Sequence, residues 1–156
     1  GDAAAIALSL APSLVALRAG EVAQYHGVEH KAIAAYEQGA EDAGDAAKEH
    51  DRCGSHLMAP MLAANLAGAA LLRRLVDKPT TATNALVSLG SIGVAVEVFV
   101  WSERHAESRM ARALRRPGFE LQRAVGTREP SEEQLEVGRA ALDEILRAEG
   151  ALPAAA

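Results

Sequence analysis

The sequence predicts an all-α protein: a helical bundle with a metal-site helix, a two-helix apolar hairpin of transmembrane type and a C-terminal amphipathic helix. Three observations predict it. Helical spacing of apolar residues governs residues 21–38 and returns after Ser131. Two apolar stretches, residues 57–72 and 85–101, each come near the roughly 17-residue lower limit for crossing a bilayer. No segment of any length alternates in the manner of a strand, and with aromatics at 3 % the core must be built from Ala, Leu and Val on closely packed helices.

Taken in order, residues 3–18 are Ala/Leu-rich and predict one helix, or two bent at Pro12. A second helix runs over residues 21–38, with Gly39 as its stop. Residues 40–47 are small and acidic and read as a loop entering a short helix near Lys48. The apolar stretches follow, joined by Arg73, Arg74, Asp77, Lys78, Pro79 and a Thr-rich turn. Pro60 and Asn65 interrupt the first and Glu97 the second, so a buried hairpin in a soluble bundle is the competing reading. After Trp101 the helix is expected to continue through Arg104, Arg109, Arg112, Arg115 and Arg116 and to stop before Pro117. Ser131 and Gln134 have capping-box spacing. Leu135, Ala141, Leu142, Ile145 and Leu146 supply the apolar face of the last helix.

At 156 residues the chain fits one domain, 1–150, made of a site region (21–56), an apolar hairpin (57–101) and basic and amphipathic helices (102–149). Residues 151–156 are expected to be a disordered tail. A net charge of -5 without a Lys/Arg-rich run argues against nucleic acid as a partner. One cysteine excludes an intramolecular disulfide and leaves Cys53 for metal or chemistry. The sequence opens at Gly1 without Met and shows no signal peptide, which reads as a fragment or a processed product.

The chemistry-bearing residues are concentrated. Four of the five histidines and the only cysteine fall between positions 26 and 56. His26-Gly27-Val28-Glu29-His30 has the H-x-x-E-H spacing of an inverted zinc-peptidase motif, which sets two imidazoles on one helical face. His50 and Cys53 supply further donors. Zinc held by His26, His30 and one of His50 or Cys53 would keep an open position, as catalysis requires; all four would close the site and make it structural. Imidazole also suits iron, nickel and copper.

Glu29 is the candidate general base beside the ion, or else an exposed acid pairing with Lys31. Glu37 shares the histidine stripe but lies roughly 16 Å along the axis from His26, which leaves it a supporting role. Cys53 could instead be a nucleophile activated by His50. A phosphatase loop is excluded, because Ala59 stands where its arginine belongs. Gly27 inside a helix marks a close backbone approach or a slight bend. Glu97 within an apolar helix is a functional candidate in lipid, and in a soluble bundle an acid paired with Arg73 or Arg104.

Tyr25-His26-Gly27-Val28-Glu29-His30-Lys31, Tyr36-Glu37 and His50-x-Arg52-Cys53-Gly54 resemble the bacterial family called domain of unknown function 1385. Pro117-Gly118-Phe119-Glu120-Leu121-Gln122, Thr127-Arg128-Glu129-Pro130 and residues 133–137 resemble that family's ending, and the likeness covers roughly residues 20–147. Asp51, Ser55 and His56 depart from its pattern, and His56 adds another potential ligand. The resemblance implies a metal-dependent, membrane-embedded protein of which this chain is the C-terminal part, and it implies no reaction.

The expectation is therefore a membrane-associated, zinc-dependent, hydrolase-like enzyme in the bacterial cytoplasmic membrane. Glu29 would be catalytic, with His26, His30, His50 and Cys53 as metal ligands facing the cytoplasm. The alternatives are a non-catalytic membrane scaffold with a closed metal site and a transporter or channel subunit using Glu97. The membrane is the expected partner, homo-oligomerisation is compatible with the sequence, and the substrate is unread.

Overall fold

Among the described residues, several helix ends are set by residues that bond to the backbone of their own neighbours. The computed structural model describes residues 21–152 apart from Glu41, together with Ala11, Pro12, Val15 and Ala16. Its α-helices are α1 (Val22–Gln38), α2 (Met58–Leu75), α3 (Thr81–Arg104), α4 (Arg109–Leu121) and α5 (Glu132–Ala148). Short 3-10 turns occupy Ala43–Asp45 and Gly54–Leu57, and a π-helical turn occupies Gln122–Gly126. The all-α class holds among the described residues. The N-terminal helix expected over 3–18 falls outside them except for Ala11, Pro12, Val15 and Ala16, which are helical. The tail falls outside them beyond Leu152.

Two compact units divide the chain, one of residues 1–50 with 122–156 and the other of residues 51–121. In the first, α1 packs on α5. Val28, Ala35, Ala43 and Leu135 form its buried cluster, with Ala46 half-buried against it. α1 ends where the sequence predicts, because Gly39 takes a left-handed φ of 63° and returns its N–H to Ala35 and Tyr36 carbonyls. α5 begins with a complete capping box: Gln134 N–H donates to Ser131 Oγ at 3.3 Å, and Ser131 N–H to Gln134 Oε1 at 2.9 Å. Of its expected apolar face, Leu135 and Leu146 are buried and Leu142 is half-buried, while Ala141 and Ile145 are exposed.

The short helix expected near Lys48 is absent; a 3-10 turn lies upstream at Ala43–Asp45 instead. The cause is a competition for carbonyls. Gly44 O and Ala46 O each accept from Lys31 Nζ at 2.8 Å, and Lys48 O accepts from the His30 ring. Oxygens turned towards α1 cannot also point along a helix of their own.

In the second unit α2 and α3 form the hairpin. Thr80 caps α3 through a capping box with Thr83. Asn65 Nδ2 donates to Ser88 Oγ at 3.3 Å, a polar tie between the two helices. The hairpin is not a buried one. No residue of α2 is buried, and α3 buries only Ser91, Ala95 and Ser102. Leu66, Leu75, Leu86 and Leu89 stand out as exposed large apolar side chains. Both helices are long and apolar enough to cross a membrane. Glu97 is exposed and makes no ion pair with Arg73 or Arg104.

Helix after Trp101 is not continuous. α3 ends at Arg104, and His105 turns its Nδ1–H back to Trp101 O at 2.8 Å. Ser108 then starts α4 by accepting the Ala111 N–H on its hydroxyl at 3.1 Å. Nor does α4 stop before Pro117; it runs to Leu121. Pro117 costs it the N–H that Ala113 O would accept, but both residues are exposed, where water can serve that carbonyl. Arg115 differs from its exposed neighbours Arg112 and Arg116. It is buried and paired with Asp51 and, at 3.2 Å, with Glu103. Beside it the buried His56 ring donates from Nδ1 to Arg115 O at 3.0 Å.

Candidate metal centre

α1 places His26 and His30 one turn apart, and their ring centroids are 4.3 Å from each other. His50, arriving from the irregular segment after the 3-10 turn, brings its ring centroid to 5.7 Å from that of His30. Three of the four expected ligands thus lie in one unit, with the His30 ring next to each of the other two. His30 is buried, and His26 and His50 are half-buried.

What orients the rings is the main chain. His26 Nδ1 lies 2.8 Å from Gly126 O, and His30 Nδ1 lies 2.6 Å from Lys48 O. A carbonyl oxygen can only accept, so Nδ1 of each ring carries the proton and Nε2 keeps the lone pair. Metal-binding histidines are held in this way, with one nitrogen anchored and the other presented. His50 is held differently: its Nε2 lies 3.3 Å from Glu37 Oε2. The supporting role that the sequence leaves to Glu37 is thereby given a partner.

Residues 126–129 form a strap along α1. Gly126 O takes the His26 ring, and Arg128 N–H donates to Ala23 O at 2.8 Å. Glu129 pairs with Lys31 at 2.6 Å. Gly27 is the residue that lets the strap lie so close, since a Cβ there would collide with the Arg128 carbonyl oxygen. The close approach read from Gly27 is therefore real. Lys31 is buried with three oxygen partners and ties the strap and the 44–46 carbonyls to one helix position.

Gln122 is the residue that sequence reasoning passes over. It is fully buried, and its amide grips both polar groups of one peptide residue: His50 N–H donates to Oε1 at 2.8 Å, and Nε2 donates to His50 O at 3.1 Å. Its own carbonyl accepts both the N–H and the hydroxyl of buried Thr127 in the strap. Such a π-helical turn inside a helical chain often marks a functional position. The only advance signal was Gln122 at the end of the Pro117–Gln122 motif.

Glu29 is exposed, about 60° round the helix from His26. Cys53 belongs to the other unit, where it is half-buried and precedes the Gly54–Leu57 turn, three residues along the chain from His50. His26 and His30, one turn apart within the first unit, are of the residue types that can hold a metal ion. Imidazole nitrogens with fixed tautomers and a thiol are the donors zinc takes, so the donor set fits that ion.

Residues 16–148 match the model of a protein family described as Protein of unknown function (DUF1385). The chain belongs to that family. The uncharacterized protein YqhQ of Bacillus subtilis (strain 168) is 30 % identical over 138 residues, which are 82 % of this chain and 41 % of YqhQ. The chain therefore spans less than half the length of that relative. No solved structure matches. The quoted His26–Lys31 and Thr127–Pro130 motifs of this DUF1385 member fall on α1 and on the strap that orients His26.

Proposed function

We propose that this DUF1385 member is a membrane-associated, metal-dependent protein of hydrolase-like activity, with zinc held by His26, His30 and His50 or Cys53. The observation that carries the proposal is the anchoring of both α1 rings by Nδ1 to main-chain carbonyls, which presents their Nε2 atoms as donors. Zinc, when bound, supplies a Lewis acid at that point. The rest is done by the chain. Glu37 and Gln122 hold His50, the strap holds His26, and Glu29 accepts a proton from the attacking water.

A non-catalytic scaffold is the second reading: if His26, His30, His50 and Cys53 all bind, four donors leave no open position. Elemental analysis of the purified full chain, wild type beside His30→Ala, tests the metal reading common to both. Stoichiometric zinc in the wild type and its loss in the variant is the expected result; metal retained by His30→Ala overturns it.

The membrane reading rests on the exposed apolar surface of α2 and α3, of a kind that water-soluble monomers rarely leave uncovered. Lys48, Arg52, Arg104, Arg109, Arg112, Arg115 and Arg116 flank the open end of the hairpin, against Arg73, Arg74 and Lys78 at its turn. By the positive-inside rule the seven lie in the cytoplasm, and the histidines with them.

A further inference from the structure

Four arginines lie on α4, and one of them is spent inside the fold. Arg115 is buried against Asp51 and Glu103. Arg109, Arg112 and Arg116 are exposed, and no described residue forms an ion pair with any of them. At about 100° per residue the three share an arc of about 60°. Next to that arc, over roughly another 100°, come Ala113, Pro117, Met110 and Leu114. All four are exposed, Met110 by 61 % and Leu114 by 37 %. The opposite side, Ala111, Arg115 and Gly118, is buried. The free surface of α4 is thus divided lengthwise into a cationic edge and an apolar edge.

Its place in the chain says what such a surface meets. Only four residues separate α4 from the end of α3, an apolar helix long enough to span. Trp101, one turn before that end, stacks on His105 with ring centroids 4.8 Å apart. Tryptophan and arginine at the end of a span belong at the headgroup level, and a helix that follows after so short a turn begins there. An acidic protein would answer the arginines, but the apolar edge beside them calls for acyl chains. Glu107 and Glu120 flank the patch, yet Arg104 adds to it, so the exposed charge of the segment stays positive.

We propose that the exposed side of α4 is a docking surface for the anionic leaflet of the bilayer. Arg109, Arg112 and Arg116 take lipid phosphates, while Met110 and Leu114 enter the acyl boundary. The proposal rests on the membrane reading of the hairpin, and the experiment separates the two. The full chain is reconstituted in nanodiscs of phosphatidylcholine alone and of phosphatidylcholine with phosphatidylglycerol. Trp101, the only tryptophan, reports the hairpin through quenching by brominated lipid. Hydrogen exchange over residues 109–121 reports α4.

The expected result is Trp101 quenching in both lipids, with exchange over 109–121 at least roughly tenfold slower where phosphatidylglycerol is present, from three arginine contacts. The triple variant R109Q/R112Q/R116Q should lose that difference and keep the quenching; M110Q/L114Q should weaken protection in both lipids. Exchange that ignores lipid charge while Trp101 is quenched overturns the docking surface and leaves the hairpin reading intact. Absence of quenching overturns both.

Discussion

Gln122 holds His50 by both ends of its peptide unit, accepting from the N–H at 2.8 Å and donating to the carbonyl at 3.1 Å. A side chain has taken the part that a neighbouring strand would play. It fixes where the His50 backbone sits, and the Glu37 carboxylate then fixes the ring. Gln122→Glu keeps the acceptor oxygen and loses the donor; Gln122→Leu loses both bonds. Each bond removed from this buried place should cost about 1–3 kcal/mol in denaturant unfolding. The visible spectrum of the cobalt-loaded protein should also shift, because His50 moves. A loss of stability with an unchanged cobalt spectrum would place His50 outside the ligand set.

Gly27→Ala sets two effects against each other. Helix propensity favours alanine by about 1 kcal/mol. The new methyl group would meet the Arg128 carbonyl, which belongs to the strap and cannot rotate away. The clash should win, with a net destabilisation of about 1–3 kcal/mol and weaker metal binding as Gly126 O leaves the His26 ring. A stabilised variant would show that the strap does not bear on α1.

Glu29→Gln and Cys53→Ser separate the roles proposed for them. Glu29 is exposed and offers no ring-orienting bond, so its amide should retain full metal content. If it is the general base, turnover of any substrate found for the protein falls by roughly 10²–10⁴-fold. Cys53→Ser should lower metal affinity sharply if the thiolate is a ligand, measured by competition with a chelator. Unchanged affinity would leave the three histidines as the protein's ligands and an open fourth position.

Glu97→Gln tests the exposed acid on α3. No ion pair among the described residues depends on its charge. If α3 lies in lipid as proposed, removing the charge should keep thermal stability in nanodiscs equal or raise it. A marked drop would mean that Glu97 pairs with protein outside the described residues.

Topology is open to direct test at Thr81, the first residue of α3. An introduced Thr81→Cys should react with an impermeant maleimide from the outside of intact cells. Labelling from the cytoplasmic side alone would reverse the proposed orientation. Extraction by carbonate would remove the membrane assignment.

Local signals made much of this fold legible. Gly39 and the Ser131–Gln134 box end and begin helices by bonds to their own neighbours, so residue identity suffices. The misread places answer to distant partners instead. The segment at Lys48 was expected to be helical because nothing nearby forbids it; Lys31 and His30, on another element, claim its carbonyls. Pro117 was expected to end a helix, and exposure of Ala113 allows it to pass. At the candidate site the spacing of His26 and His30 follows from helical periodicity alone. Their anchors do not, because Gly126 and Lys48 contribute main-chain oxygen, which every residue carries and no sequence pattern displays.

That reliance on backbone oxygens sets an unequal tolerance to genetic change. Replacing the side chain of Lys48 leaves the oxygen that meets His30 where it is, so spelling errors at that anchor are cheap. Inserting or deleting a single residue between Gly39 and His50, or between Gln122 and Ser131, slides a different carbonyl under each imidazole. These two carbonyl anchors are robust to substitution of their own side chains and brittle to frame-preserving changes in length.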